Sequence, residues 1–400
     1  MFNIRKYFIT FAVENQEYKI LLKYFPMIAR KTIENIVLIL LLLTPIFGVI
    51  SAQEHPKEEA EDLDITGMIL HHVGDTHDFH ILDYKGHAVS IPLPIILWTN
   101  EGLVSFMSSE FQHDDEGKVI VEKGGEFFVK HHENIYYANL VSDGHGSYVA
   151  IDESDHATNE QPLDFSITKN VFTLFLSLTV LLLIFLFSAR AYRKSESKVP
   201  TGIARFTEPL ILFVKNDIAI PNIGEKKHGK YLPYLLTIFF FIWLNNIFGL
   251  IPFFPFSANL SGNIAFTITL AVITFVITNI NGNKDYWKHI FWMPGVPVPM
   301  KLFLAPIELI GVFTKPVSLF IRLFANITAG HIVILALISL IFVFKNMYGD
   351  IAGYIVAPVS IAFVVMISLI EILVVAIQAY IFTILSALYI GMATAEHEEH

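Results

Sequence analysis

Pro316-Val317-Ser318-Leu319-Phe320-Ile321-Arg322-Leu323-Phe324-Ala325-Asn326-Ile327-Thr328-Ala329-Gly330 sets an arginine inside an apolar run that extends from Lys301 to Phe344. A guanidinium near mid-membrane costs roughly 2.5–3.5 kcal/mol on insertion scales. Arginine cannot escape that cost by losing its proton, because its pKa exceeds about 12. A helix over this run is about 66 Å long at about 1.5 Å per residue, whereas a bilayer core needs about 30 Å. A second run, Ile355 to Ile390, is similarly oversized. Pro306 and Pro316 do not divide the first run into two spans. Two long, strongly tilted helices in a hairpin, with polar side chains turned toward protein, satisfy both lengths.

Working outward, the chain is 54% hydrophobic, which marks a polytopic membrane protein. Its net charge of −10 conceals a split, with 23 acidic residues and 5 lysines between Gln53 and Ile167. That segment therefore carries −18 and the rest of the chain +8. There is no cysteine, which excludes disulfides and thiolate metal sites. No basic face of the kind that binds nucleic acid stands out.

Arg30 and Lys31 precede the apolar stretch Ile36–Ile50, which ends in Ser51-Ala52, the pattern of a signal peptide over 1–52. The basic lead is long for a signal, and a start at Met27 would leave one of ordinary size. Residues 53–165 read as a small, mainly β, soluble module on the exported, periplasmic side. Short strands are expected around Val89–Leu93, Phe127–Val129 and Ile135–Tyr137. His71, His72, His77, His80, His131 and His132 invite a metal reading, but their spacings match no compact ligand motif and a solvated acidic face explains them.

Residues 166–400 form the membrane domain. Val171–Phe187 is a span, and the loop from Arg190 to Lys230 holds 9 basic and 4 acidic residues, which places it in the cytoplasm. Within it Phe206, Leu210, Ile211 and Val214 recur at helical spacing, suggesting a helix in the interface. Leu232–Ile251 and Ile264–Ile280 are further spans, followed by a second cytoplasmic loop at Lys284 and Lys288. The C-terminus is expected in the cytoplasm.

Few polar residues interrupt the long runs: Glu308, Lys315, Ser318, Arg322, Asn326 and His331 on the first, Glu371 and Gln378 on the second. At about 100° per residue, 308, 315, 318, 322 and 326 share one stripe, and 371 and 378 share another. A buried Arg–Glu pair that only fixes packing is the plain alternative, but it leaves the accompanying polar stripes unexplained.

The quoted stretch resembles the signature of subunit a of F-type ATP synthases. So does Glu371-Ile372-Leu373-Val374-Val375-Ala376-Ile377-Gln378-Ala379-Tyr380-Ile381-Phe382, and so does the ending Gly391 to His397. Leu244-Asn245-Asn246 and Gly262-Asn263 match weaker motifs of that family. The resemblance covers roughly residues 170–397. It implies an all-α stator subunit of the bacterial inner membrane, not an enzyme by itself and without cofactor or metal. The implied partners are a c-subunit ring, the b-subunit peripheral stalk and, indirectly, the catalytic head.

The implied site comprises Arg322 as the essential arginine, Asn326 and Gln378 around it, His331 and Glu371 in the outer half-channel, and also Glu308, Ser318 and Asn246. Two departures stand out. Ala325 occupies a common glycine position, and His331 and Glu371 look exchanged relative to some members, which have the acid first. Setting Arg322 opposite Gln378, or His331 opposite Glu371, puts the hairpin pivot at residue 350–351, inside Asn346–Gly353. Nine residues separate Arg322 from His331, about half a turn around a helix, so His331 is expected behind the arginine stripe, along a water path.

An independent cation transporter with a metal-capturing, histidine-rich ectodomain is the alternative reading. It predicts a repeated pair of broken helices around a midplane site, and the chain shows no internal repeat. No nucleophile–base pair or phosphate loop supports a catalytic enzyme.

Overall fold

The computed structural model describes residues 74–395, except 85–86, 140, 143–145, 153–156, 195–201, 252–253, 257 and 294. The expected signal segment 1–52, the start at Met27, His71, His72 and the Glu396-His397 ending lie outside the described residues.

Alternating apolar and polar residues make the first part a β module. Strands β1 (Asp78–Tyr84) and β2 (His87–Pro92) pair antiparallel. Strands β3 (Pro94–Thr99), β4 (Gly102–Met107) and β8 (Leu163–Asp164) form a sheet in the order β4-β3-β8, and β5 (Val121–Lys123), β6 (Glu126–His131) and β7 (Asn134–Tyr137) form another in sequence order. Each of the three expected strands falls on one of these, β2, β6 and β7. Alternate residues of β3 and β4 point inward, so Ile95, Leu97 and Phe106 meet Phe111, Val121, Phe128 and Ile135 in one small core.

A buried ionic knot ties the module to the helix that follows. His77 is 4% exposed. Its ring nitrogens lie 3.4 Å from Glu133 and 3.5 Å from Asp164. Burial alone would lower its pKa, but hydrogen bonds and charge from Asp164 and Glu133 outweigh burial and raise it to about 9. Burial likewise opposes the charge on Lys130, and Glu133 and Asp115 more than restore it. Beyond β8 the chain continues alongside β3: the Ile167 amide donates to Pro94 O at 3.0 Å, and that of Lys169 to Thr76 O at 2.9 Å. Asp75 then accepts from the Asn170 amide at 3.0 Å and from Thr168 Oγ1 at 2.8 Å. It thereby supplies the first turn of helix α1 (Lys169–Lys194) with an anionic cap.

The rest is helical: α2 (Ile203–Phe213), a π turn (Val214–Ala219), α3 (Ile220–Ile223), α4 (His228–Leu250), α5 (Ile264–Ile280), α6 (Lys284–Phe291), α7 (Val298–Tyr348) and α8 (Asp350–Thr394). Among the described residues four helices, α1, α4, α7 and α8, are long and apolar enough to cross a membrane. The pair α5 and α6, bent by 102°, makes a fifth if taken as one span. Helices α7 and α8 run 51 and 45 residues without a break, and Pro306 and Pro316 lie inside α7. The core gathers Leu235 and Ile242 of α4, Leu319, Leu323 and Ile327 of α7, and Val375, Phe382 and Ile390 of α8.

Two segments differ from expectation. The amphipathic stretch around Phe206 and Leu210 is a helix with Phe206 exposed, but its continuation Val214, Ile218 and Ala219 is fully buried. Its first half alone therefore leaves apolar side chains uncovered by the chain. A second difference is α6, which occupies what reads as a loop at Lys284 and Lys288. Asn283 caps it by accepting from the Tyr286 amide at 2.8 Å, and Tyr286 and Ile290 anchor its buried side.

Because the His77 pKa is raised above its unfolded value of about 6.5, the stability it contributes is complete below that pH and is lost as pH rises through about 9. The free energy of opening over residues 74–165 in the intact protein, obtained from exchange rates divided by the intrinsic base-catalysed rate at each pH, should fall progressively between pH 6.5 and 10 by a few kcal/mol. His77→Gln should flatten that dependence; an opening free energy that does not change with pH in the unsubstituted protein would show that the knot contributes nothing.

Candidate functional site

Gly349, at φ 87°, turns α7 into α8. The turn adjoins the pivot expected from the residue pairing, and the two helices pack along one another. This brings His331 Nε2 to 3.9 Å from Glu371 Oε1. Glu371 is 4% exposed. Gly330 makes the approach possible: a Cβ there would lie 2.6 Å from Glu371 Oε1. On the other side of the histidine, a Cβ on Gly249 of α4 would lie 3.8 Å from Nε2 and 3.5 Å from the Ala258 carbonyl oxygen. Two glycines thus let three helices and the 251–263 loop close around one imidazole and one carboxyl group.

Around this pair lies a concentration of buried polar atoms that no protein group hydrogen-bonds among the described residues. They include both Glu371 oxygens, both amide atoms of Asn246, Asn259 Nδ2, and the hydroxyls of Ser261 and Thr328. Helical spacing gathers them. Asn246 precedes Gly249 by one turn and Thr328 precedes His331 by one turn. Ser360 is a further buried hydroxyl without a partner, on the Glu371 side of α8 but about 16 Å along it toward the turn. Asn259 Oδ1 is occupied by the Gly262 amide at 2.9 Å, which shapes the short 3-10 turn Leu260–Gly262 packed against α7.

Arg322 lies nine residues before His331, about 13 Å along α7. It makes no hydrogen bond or ion pair among the described residues, and Asn326, one turn further, is exposed, as is Ser318. The buried stripe of α7 is Val312, Leu319, Leu323 and Ile327, so the polar stripe flanks the face that α7 packs inward. Gln378 is buried on α8, two turns after Glu371 on the same side. Glu308 stands 14 residues before Arg322, about 21 Å along the helix, and joins neither group.

Toward that end of the hairpin a second polar region appears. Lys315 Nζ stands 5.6 Å above the Tyr389 ring. A small cavity there is lined by Thr274, Asn279, Lys315 and Tyr389. Tyr234 and Thr274 hydroxyls meet at 2.6 Å beside it. The hairpin is also the part of the bundle least covered by its own chain: 11% of the most apolar window of α7 is buried, against 50% for α4.

Of the site residues expected from sequence, His331, Glu371 and Asn246 belong to one cluster, and Arg322 and Gln378 lie on the hairpin toward its other end. Asn259, Ser261, Thr328 and Ser360 were not singled out, because single small polar residues in an apolar run carry no spacing signal. Among the described residues of the β module, the His131 and His132 rings lie 4.2 Å apart and tilted, His113 meets Asp78 at 3.2 Å, and no group of metal-ligating side chains forms.

Comparison with known proteins identifies relatives of both parts of the chain. Residues 172–391 match the family model described as ATP synthase A chain, and residues 68–165 match one described as Domain of unknown function (DUF8433). The chain is 45% identical over 245 residues to "ATP synthase subunit a" of Chloroherpeton thalassium, covering 59% of this chain and 69% of that protein. It is 46% identical over 244 residues to "ATP synthase subunit a" of Chlorobium phaeobacteroides, covering 59% and 67% respectively. With "ATP synthase subunit a 2" of Chlorobium luteolum it shares 48% identity over 245 residues, at the same coverage of 59% and 67%.

The close glycines separate two kinds of damage. At Gly391 a Cβ would run into the backbone carbonyl of Asn222, whereas at Gly330 it would meet the carboxyl end of the Glu371 side chain. Gly391→Ala should therefore lower the thermal midpoint of the purified protein or prevent its accumulation, at a cost of about 1–3 kcal/mol or more. Gly330→Ala should leave the midpoint nearly unchanged and displace Glu371, with loss of transport. Equal thermal effects of the two would refute this assignment.

Proposed function

The chain belongs to the ATP synthase A chain family, and on that premise we propose that it is the stator proton channel of an F-type ATP synthase in a bacterial inner membrane. Its multi-pass membrane character and general role in the membrane sector follow from the family and the apolar helices. The finer mechanism is our reading, and the observation that carries it is the His331–Glu371 pair set among unpartnered buried polar atoms, with Arg322 further along the same helix.

Buried polar atoms without protein partners are groups that water hydrates. The cluster of Asn246, Asn259, Ser261, Thr328, His331 and Glu371 is thus suited to a wet half-channel on the side where the β module lies, which we take as periplasmic. A neutral imidazole beside a carboxyl group relays protons near neutral pH. The second polar region, near Lys315 and Tyr389, is suited to the opposite, cytoplasmic half-channel.

Between the two stands Arg322. Its fixed positive charge favours the ionised form of a carboxylate on a passing c subunit. Because it cannot release its own proton, it also bars a direct proton path from one half-channel to the other. Asn326 and Gln378 hydrate and orient the encounter. Each proton that crosses gains about 2.3 kcal/mol per 100 mV, which the ring converts to rotation. The uncovered hairpin faces this ring, the b-subunit stalk and the catalytic head complete the stator and motor, and this subunit performs no catalytic chemistry itself.

Arg322→Ala in the assembled complex should abolish ATP-driven proton pumping while the complex still purifies with its ring and head. Persistent pumping would end the mechanism. For the pair, His331→Glu combined with Glu371→His should retain at least several-fold more activity than either single change; strictly additive losses would mean that the two residues act independently.

A further inference from the structure

The β module is strongly acidic, yet one of its sheet faces carries no charge and is left open. Across β4-β3-β8, Leu103 pairs with Trp98 and Trp98 pairs with Leu163. These three are 64%, 57% and 65% exposed, and Phe165, on the same side as Leu163, is 63% exposed. Met107, opposite Pro94, extends the row at 41%. The inward face of the same strands already fills the core with Ile95, Leu97 and Phe106. The sheet is therefore apolar on both sides, unlike an antiparallel sheet with one face in water. From Pro94 to Met107 the single charged residue is Glu101, in the turn.

What covers this face follows from its position. The strand that carries Leu163 and Phe165 runs on beside β3 and becomes α1 at Lys169. Four residues separate Phe165 from Lys169, at most about 14 Å of chain. Asp75 of the module caps α1, and Phe79 packs on Phe172 at 5.4 Å, so module and helix are joined side by side rather than by a free tether. On α1 itself Phe175, Leu178 and Leu182 are exposed and apolar, as a span in lipid requires. Tryptophan with aliphatic neighbours is the composition of a membrane–water boundary. We propose that the Trp98–Leu103–Leu163–Phe165 face rests in the headgroup layer of the bilayer that α1 enters, making the module a membrane-seated collar rather than a free ectodomain. The acidic remainder of the module would face water, since lipid phosphates repel it.

The chain has no cysteine of its own, which permits site-directed nitroxide labelling. Leu103→Cys, Leu163→Cys and, as a reference on an exposed polar position, Glu122→Cys would each be labelled in the complete complex reconstituted in phospholipid nanodiscs, with labelled unsubstituted complex subtracted. Labels at 103 and 163 should be several-fold more accessible to oxygen, and several-fold less accessible to a water-soluble nickel chelate, than the label at 122. Labels at 103 and 163 as open to nickel as the one at 122 would overturn the proposal, because the face would then stand in water. Low accessibility to both reagents would overturn it as well, because a protein, whether another subunit or a second copy, would then be the cover.

Discussion

Inside a hydrocarbon layer, a polar side chain must find its partner in the protein or in water that the protein admits. Glu371 is the group on which this constraint bears hardest. It is buried, both its oxygens lack a hydrogen-bond partner among the described residues, and its nearest basic group is His331 at 3.9 Å. An apolar pocket would make such a carboxyl group costly. The surrounding amides and hydroxyls instead make the region hospitable to water, and the glycines at 249 and 330 keep it narrow. The continuous length of α7 and α8 serves the same end, because it lets one hairpin carry the wet cluster, the fixed arginine and the second polar region in series.

Much of this was legible in the chain because membranes write strongly in sequence. Arg322 in an apolar run, the excess length of both runs and the position of the turn near Gly349 all follow from hydropathy and helical period. Ile264–Ile280 coincides with α5 to the residue. The pairing of His331 with Glu371 was accessible through simple antiparallel register. Less accessible were contributions from residues that look ordinary in isolation. Ser261 and Thr328 are small polar residues among many, and only the fold assembles them. Helix α6 was hidden because eight residues interleaving lysine with aromatics have the composition of a loop. The buried π turn at Val214–Ala219 packs against α4 and α8, contacts that nothing local announces.

The β module illustrates a different limit. Its strands show alternation, but alternation alone assigns one face to the core and the other to solvent. Trp98, Leu103 and Leu163 are apolar on the face that this rule leaves polar, and without the cross-strand pairing they read as part of the core. Likewise, the many histidines suggest a shared metal, whereas the fold distributes them among separate partners. His77 serves an ionic knot with Glu133 and Asp164, and the others lie elsewhere.

The two ends of the hairpin are held very differently. At the end of α8, Lys227 Nζ donates to Thr394 O at 2.7 Å, the Asn283 amide donates to Ala393 O at 2.9 Å, and Gly391 lies against the Asn222 backbone. At the turn, Tyr348, Ile351 and Tyr354 are mostly exposed, and Lys345 and Asp350 pair only with each other at 3.4 Å. Mechanically this is a cantilever, clamped at its root and loose at its tip. A sideways load on the exposed turn bends the hairpin most near Gly349 and least where Arg322 and Gln378 lie, toward the root. Compliance and charge position are thereby separated along a single element.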